Sequence, residues 1–160
     1  MANGRLFVGI DPGVGGGMAV IDEFVDHDLQ DRVGITCLKF KDATEADISN
    51  FVLSSVTTSD CEKFALIEKV SSSPQMGVVS AFTFGRSYGF LRGMLIAHGI
   101  PFEEVRPQLW QKSLGCLTKG DKNISKARAQ QLFPAEKITH ANADAILIAE
   151  HCRRTHPGRG

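Results

Sequence analysis

The chain has no C-x-x-C pair. Its four cysteines, Cys37, Cys61, Cys116 and Cys152, are scattered, which argues against a zinc cluster or a small disulfide framework and for free thiols in a reducing compartment. His151 beside Cys152 makes no metal site alone, because adjacent helical residues point about 100° apart and no second pair completes four ligands. Long apolar runs are missing too. The longest aliphatic stretch, Ala145 to Ala149, is far short of the roughly 20 residues of a membrane span, and no basic segment followed by a long apolar one opens the chain. Neither a membrane nor export is expected. The phosphate-cradling pattern G-x-x-x-x-G-K-[ST] is absent, so no nucleotide cofactor is expected. At 160 residues the chain is long enough for one sizeable core and too short for two lobes closing on a cleft. With 42% hydrophobic and 22% charged residues, it reads as one independently folding domain.

Net charge is zero, with 18 basic and 18 acidic residues, yet the two halves differ. Residues 1 to 68 hold five Lys/Arg and twelve Asp/Glu, a balance of −7; residues 69 to 160 hold thirteen and six, a balance of +7. Such a split fits an acidic locus beside a basic surface, as a metal-dependent enzyme acting on a polyanion requires, and equally fits two solvated faces.

Apolar runs and turn residues predict strands over Arg5 to Ile10 and Met18 to Ile21, joined by the glycine-rich turn Asp11 to Gly17 as a hairpin, then Val33 to Phe40, Lys63 to Glu68 and Phe102 to Arg106. Helices are predicted over Thr44 to Val56 with Thr44 as N-cap, Val78 to His98, Gln108 to Leu114, Asp121 to Leu132 and Ala141 to Arg153. A loose basic tail from Thr155 to Gly160 follows. This order describes an α/β domain with a five-stranded mixed sheet flanked by helices. If the fourth strand lies parallel beside the first, their carboxyl ends open on one edge, where Asp11 and Glu68 meet.

Each of those carboxylates ends an apolar strand. Burial and mutual repulsion would raise their pKa values unless a cation sits between them, and hard oxygen donors favour Mg²⁺ or Mn²⁺ over zinc. His140 and Asp144, four residues apart, are expected on one face near the start of the last helix. Asp144 is set in an otherwise apolar run, an odd choice for stability alone. Taken singly, each acid also fits an ordinary structural role: Asp11 in an Asx turn, Glu68 as a strand-end charge, Asp144 as a hydrogen-bonded helix residue. Their convergence is the stronger argument for a site.

Ile10-Asp11-Pro12-Gly13 after one strand, Ile67-Glu68 after another and Ala143-Asp144-Ala145 on a late helix together resemble the RuvC-like Holliday junction resolvases. Phe84 to Gly93 and Val105 to Lys112 resemble the phage and plastid branch of that family. The resemblance implies an RNase H-like fold, a homodimer in a cytosol or an organelle stroma, and Mg²⁺-dependent paired incision of four-way DNA junctions, leaving 5′-phosphate and 3′-hydroxyl ends. It assigns metal binding and catalysis to Asp11, Glu68 and Asp144, with His140 where relatives carry an acid or a histidine. Two ions would stabilise the attacking and leaving oxygens, Asp11 bridging them. Relatives of the bacterial branch carry an aromatic wedge shortly after the glutamate, where this chain has Lys69, Val70 and Ser71. Met76 or Phe82 could open the crossover instead, although Phe82 is read first as a core residue.

Phosphate contacts are expected from Lys69, Lys112, Lys119, Lys122 and Lys126, with Arg128 beside them, because the basic half must meet the backbone. Gly85, Gly89 and Gly93 form a stripe on the long helix, though each glycine costs about 1 kcal/mol in a helix interior. Close approach of a backbone would offset that, either the chain's own sheet or a second copy across a two-fold axis. Rival readings are an actin-like or sugar-kinase ATPase, against which length argues, a protein that holds branched DNA without cutting it, and a flap or fork nuclease of the same fold.

Overall fold

The computed structural model describes residues 4–24 and 32–156. Strand β1, Gly4–Asp11, pairs antiparallel with β2, Gly17–Phe24, and β2 pairs antiparallel with β3, Arg32–Lys39. On its other side β1 pairs in parallel with β4, Glu62–Glu68, and β4 in parallel with β5, Phe102–Val105. The sheet order is β3-β2-β1-β4-β5, the mixed sheet expected from the apolar runs.

Successive strand residues point to opposite faces. Leu6, Val8 and Ile10 join Met18, Val20, Ala65 and Ile67 in the core under helix α1, Glu45–Val52, and helix α2, Val78–Ala97. Phe7, Ala19, Ile21 and Leu66 join the core under α3, Pro107–Ser113, α4, Lys122–Leu132, and α5, Ala143–Thr155. The same alternation turns Asp11 and Glu68 toward the α5 face.

Helix α5 can lie against β1 because residue 9 has no side chain. A Cβ there would collide with the Ala145 carbonyl oxygen and the Ala149 amide nitrogen. Gly9 therefore sets the depth at which α5, and with it Asp144, sits on the sheet.

Helix boundaries depart from the sequence reading for local reasons. Thr44 caps α1 as expected, in a reciprocal pair with Asp47: the Asp47 amide donates to Thr44 Oγ1 at 3.1 Å and the Thr44 amide to Asp47 Oδ2 at 2.7 Å. The helix then loosens into a π-helical turn, Leu53–Thr57, where Ser54 and Thr57 hydroxyls bond back to the carbonyls of Phe51 and Leu53. Regular α5 begins at Ala143 rather than Ala141, because Asn142 bonds backward, accepting from the Thr139 amide at 2.7 Å and donating to the Lys137 carbonyl at 3.0 Å. At its other end α5 continues through Thr155, and His156 stacks on Phe64 with ring centroids 4.0 Å apart. Thr155 therefore belongs to α5 and not to the tail expected there, and residues 157–160 lie outside the described residues.

Two expectations for α2 are revised. Phe82 is 72% exposed and is not a core residue; Val78, Val79 and Ile96 are exposed with it, while Leu91, Met94 and Leu95 face the core. Gly85, Gly89 and Gly93 face outward, and a Cβ at any of them would meet no atom within 4 Å. Packing of the glycine stripe on the chain's own sheet is therefore ruled out.

The far end of α5 is tied down by charges. Glu150, 2% exposed, accepts from Arg153 Nε at 2.8 Å and Arg154 Nε at 2.7 Å, and Glu23 bridges Arg153 and Arg5 at 2.9 and 2.7 Å. Cys152 and His151 are occupied separately: the thiol donates to the Phe64 carbonyl, and His151 Nδ1 pairs with Ser113 Oγ at 3.1 Å.

Candidate active site

Three carboxylates come together at the carboxyl edge of the sheet. Asp11 ends β1, Glu68 ends the parallel neighbour β4, and Asp144 occupies the first turn of α5, above them. Their charges act on one another. The Asp11 carboxyl is pushed up to about 7, first by its burial and then by Glu68 and Asp144, while the Lys122 ammonium pulls it down. Glu68 is likewise raised, chiefly by burial; a hydrogen bond from Trp110 works against that, Asp144 adds to it, and Lys122 again opposes.

Asp144 Oδ1 is buried without a hydrogen-bond partner. A buried carboxylate oxygen left bare is costly, so this atom suits a partner of another kind. The donor set is all oxygen and carries excess negative charge, matching a hard divalent cation better than zinc. Among the described residues, however, no group of three His, Cys, Asp or Glu side chains is gathered tightly enough to hold one ion. The side chains would have to draw inward around it.

His140 departs from its expected place. It is exposed, in the turn before α5 rather than on the helix face of Asp144, and the charges acting on Asp11 and Glu68 come from other groups. The Asn142 bonds that hold back the helix start are what leave His140 in that turn.

Of the basic candidates, Lys122 has the most defined position. Asp121 caps α4 by accepting from the Asn123 amide at 2.9 Å, which sets Lys122 as the first helical residue, its charge acting on both Asp11 and Glu68. Lys126, one turn further on, is half-buried. Lys69 is exposed directly after Glu68, and Lys112 and Lys119 are exposed on the α3 end and the α3–α4 connection. Met76 is half-buried in a turn closed by its amide on the Ser73 carbonyl. Arg128 is engaged in structure, donating to the Leu114 carbonyl at 2.7 Å and to Gln131.

Sequence reasoning missed Trp110 as part of the site. Its Nε1 donates to Glu68 Oε2 at 2.8 Å from a fully buried ring. A large cavity of about 730 Å³ lies elsewhere, lined by Phe40, Thr44, Ile48, Arg86 and Phe90 on the α1 and α2 side, and none of the three acids lines it. The site is assigned to the acids because the charge repulsion and the bare oxygen are there.

No protein-family model and no curated protein matches the sequence. Among solved structures the chain is similar to Thermus thermophilus RuvC, with a TM-score of 0.58 and 16% identity over 91% of this chain and 90% of that one. It is also similar to T. thermophilus RuvC in complex with a Holliday junction substrate, with a TM-score of 0.61 and 14% identity over 96% of each chain. The fold is RuvC-like. At these identities the likeness concerns the fold, and the RuvC-like arrangement covers nearly the whole chain rather than one motif. Among the described residues, no helix is long and apolar enough to cross a membrane.

Proposed function

We propose that this chain is a structure-selective DNA endonuclease that resolves four-way junctions as a homodimer, using Mg²⁺ or, in its place, Mn²⁺, and that it is of the phage and plastid type. The observation that carries the reading is the set of mutually repelling acids Asp11, Glu68 and Asp144, with a bare Asp144 oxygen, on the edge of a RuvC-like sheet. One of the two similar structures is described as a complex with a Holliday junction substrate, which supports branched DNA as the ligand.

In this reading Asp11, Glu68 and Asp144 hold the cation. Bound there, a divalent ion polarises a phosphodiester and makes water a better nucleophile at neutral pH. The chain's own part is to gather the carboxylates at a buried edge, to offset part of the charge on Asp11 and Glu68 with Lys122 and to offer Lys69, Lys112, Lys119 and Lys126 to the DNA backbone, where they position without reading sequence. The outward stripe of Val78, Phe82, Gly85, Gly89, Gly93 and Ile96 on α2 is the face on which a second copy would pack, giving two sites for two opposed strands.

A second reading, a protein that holds junctions without cutting them, is favoured by one observation: no three ligands are gathered around a point among the described residues. A synthetic four-way junction incubated with the protein in Mg²⁺ separates the two. Paired incision, lost in Asp11→Asn and Asp144→Asn with binding retained, is the expected result. Binding without incision in either Mg²⁺ or Mn²⁺ overturns the nuclease reading. Flap and fork substrates cut as fast as the junction would replace junction selectivity with a broader branched-DNA activity.

A further inference from the structure

Glu68 is the last residue of β4 and pairs with Val105, the last residue of β5; the Lys69 amide closes that edge on the Val105 carbonyl at 2.7 Å. Helix α3 starts two residues beyond Val105 with Pro107 at its first position, so its first turn lies over the end of β4. Trp110 is in that turn. Its ring is fully buried in the α5-side core with Leu114, Ala145 and Ile148, while its one polar atom, Nε1, donates to Glu68 Oε2. A buried indole needs an acceptor, and an acidic side chain at a sheet edge needs a fixed rotamer to serve a site.

We infer that Trp110 is a positioning residue: its indole N–H fixes one oxygen of Glu68 and keeps the carboxylate at this edge, leaving its other oxygen for a divalent cation around which Asp11 and Asp144 draw in. The inference rests on the functional reading above, which makes Glu68 a cation ligand. The ring is locked by packing, so the bond restricts Glu68 without a mobile partner. Within the described residues the bond is Glu68's sole side-chain hydrogen bond, which leaves Oε1 available.

Trp110 is the chain's single tryptophan, so the contact can be observed directly. In protein labelled with nitrogen-15, one indole N–H resonance reports the bond. Titration of the metal-free wild-type protein with Mg²⁺ should move that resonance, and the response should vanish in Glu68→Gln. By calorimetry, Trp110→Phe should bind Mg²⁺ about tenfold or more weakly, whereas Leu114→Ala, a cavity in the same core, should melt earlier yet bind Mg²⁺ as wild type does. A resonance unmoved by Mg²⁺ binding, unchanged affinity in Trp110→Phe, or an equal loss in Leu114→Ala overturns the positioning role, and Mg²⁺-dependent junction cleavage by the wild type would still stand. Wild-type protein that takes up no Mg²⁺ overturns both.

Discussion

Gly9 and Ala145 touch backbone to backbone: the space a Cβ at residue 9 would need is filled by the carbonyl oxygen of the residue after Asp144. The neighbour is main chain, which cannot swing aside as a flexible side chain can. Gly9→Ala is therefore expected to cost about 3 kcal/mol or more, lowering the melting temperature by roughly 6 °C or more. Thermal melts measure it, and a variant that melts with the wild type would show that α5 does not depend on this seat.

Asp11 supplies a pH prediction with a definite sign. Its carboxyl titrates near 3.8 in the unfolded chain and near 7 in the fold. Between those values the folded protein holds the extra proton, so stability falls as pH rises from about 4 to 7 and stays reduced above. In chelator at pH 8, Asp11→Asn should be more stable than wild type by on the order of 2–4 kcal/mol. The gap should close toward pH 4 in parallel urea titrations; a gap independent of pH contradicts the buried, repelled carboxylate.

Glu150 behaves in the opposite way. Burial opposes its charge, but the hydrogen bonds and charges of Arg153 and Arg154 outweigh that and hold its carboxyl below the ordinary 4.5. Its stabilisation is present above about pH 4.5 and is lost as pH falls through the lower folded value. Because both arginines are partly exposed, Glu150→Gln should cost only about 2 kcal/mol at pH 7, and the difference should shrink in melts at pH 3.

The glycine stripe can be probed without disturbing the fold, since open space lies beyond it. Alanine at Gly85, Gly89 and Gly93 should raise helix stability by up to about 1 kcal/mol each. If the stripe is the seam between two copies, Gly89→Arg should keep the circular dichroism spectrum of the wild type and weaken self-association at least about tenfold in sedimentation experiments. Unchanged association would move the seam elsewhere.

Lys122→Ala removes the cation that acts on both Asp11 and Glu68. Junction binding should weaken, and the slope of log affinity against log salt should lose about one unit, as read by gel shift at several salt concentrations. An unaltered slope would mean that Lys122 serves the carboxylates alone.

Much of this fold is legible from apolar runs. Phe7 to Ile10 and Phe64 to Ile67 read as apolar strands, and the places of Asp11 and Glu68 followed from where the apolar residues stop; that the two strands lie side by side and parallel was a condition, which the pairing of β1 with β4 meets. Thr44 read as a helix start because capping is local chemistry. Contacts between distant segments were not legible: nothing near Trp110 says that its N–H reaches Glu68, and nothing near Arg153 says that it meets Glu23. His140 was misplaced because helical spacing to Asp144 was assumed, whereas Asn142 delays the helix. Phe82 was misjudged because aromatic character predicts burial only where something lies opposite.

The sheet order also fixes a sequence of events at the ribosome. Residues 11 and 68 are synthesised early and can already stand side by side on adjacent strands, whereas residue 144 belongs to the last helix. The third negative charge thus arrives only after α5 has been made, and a nascent polypeptide is spared that crowding until then.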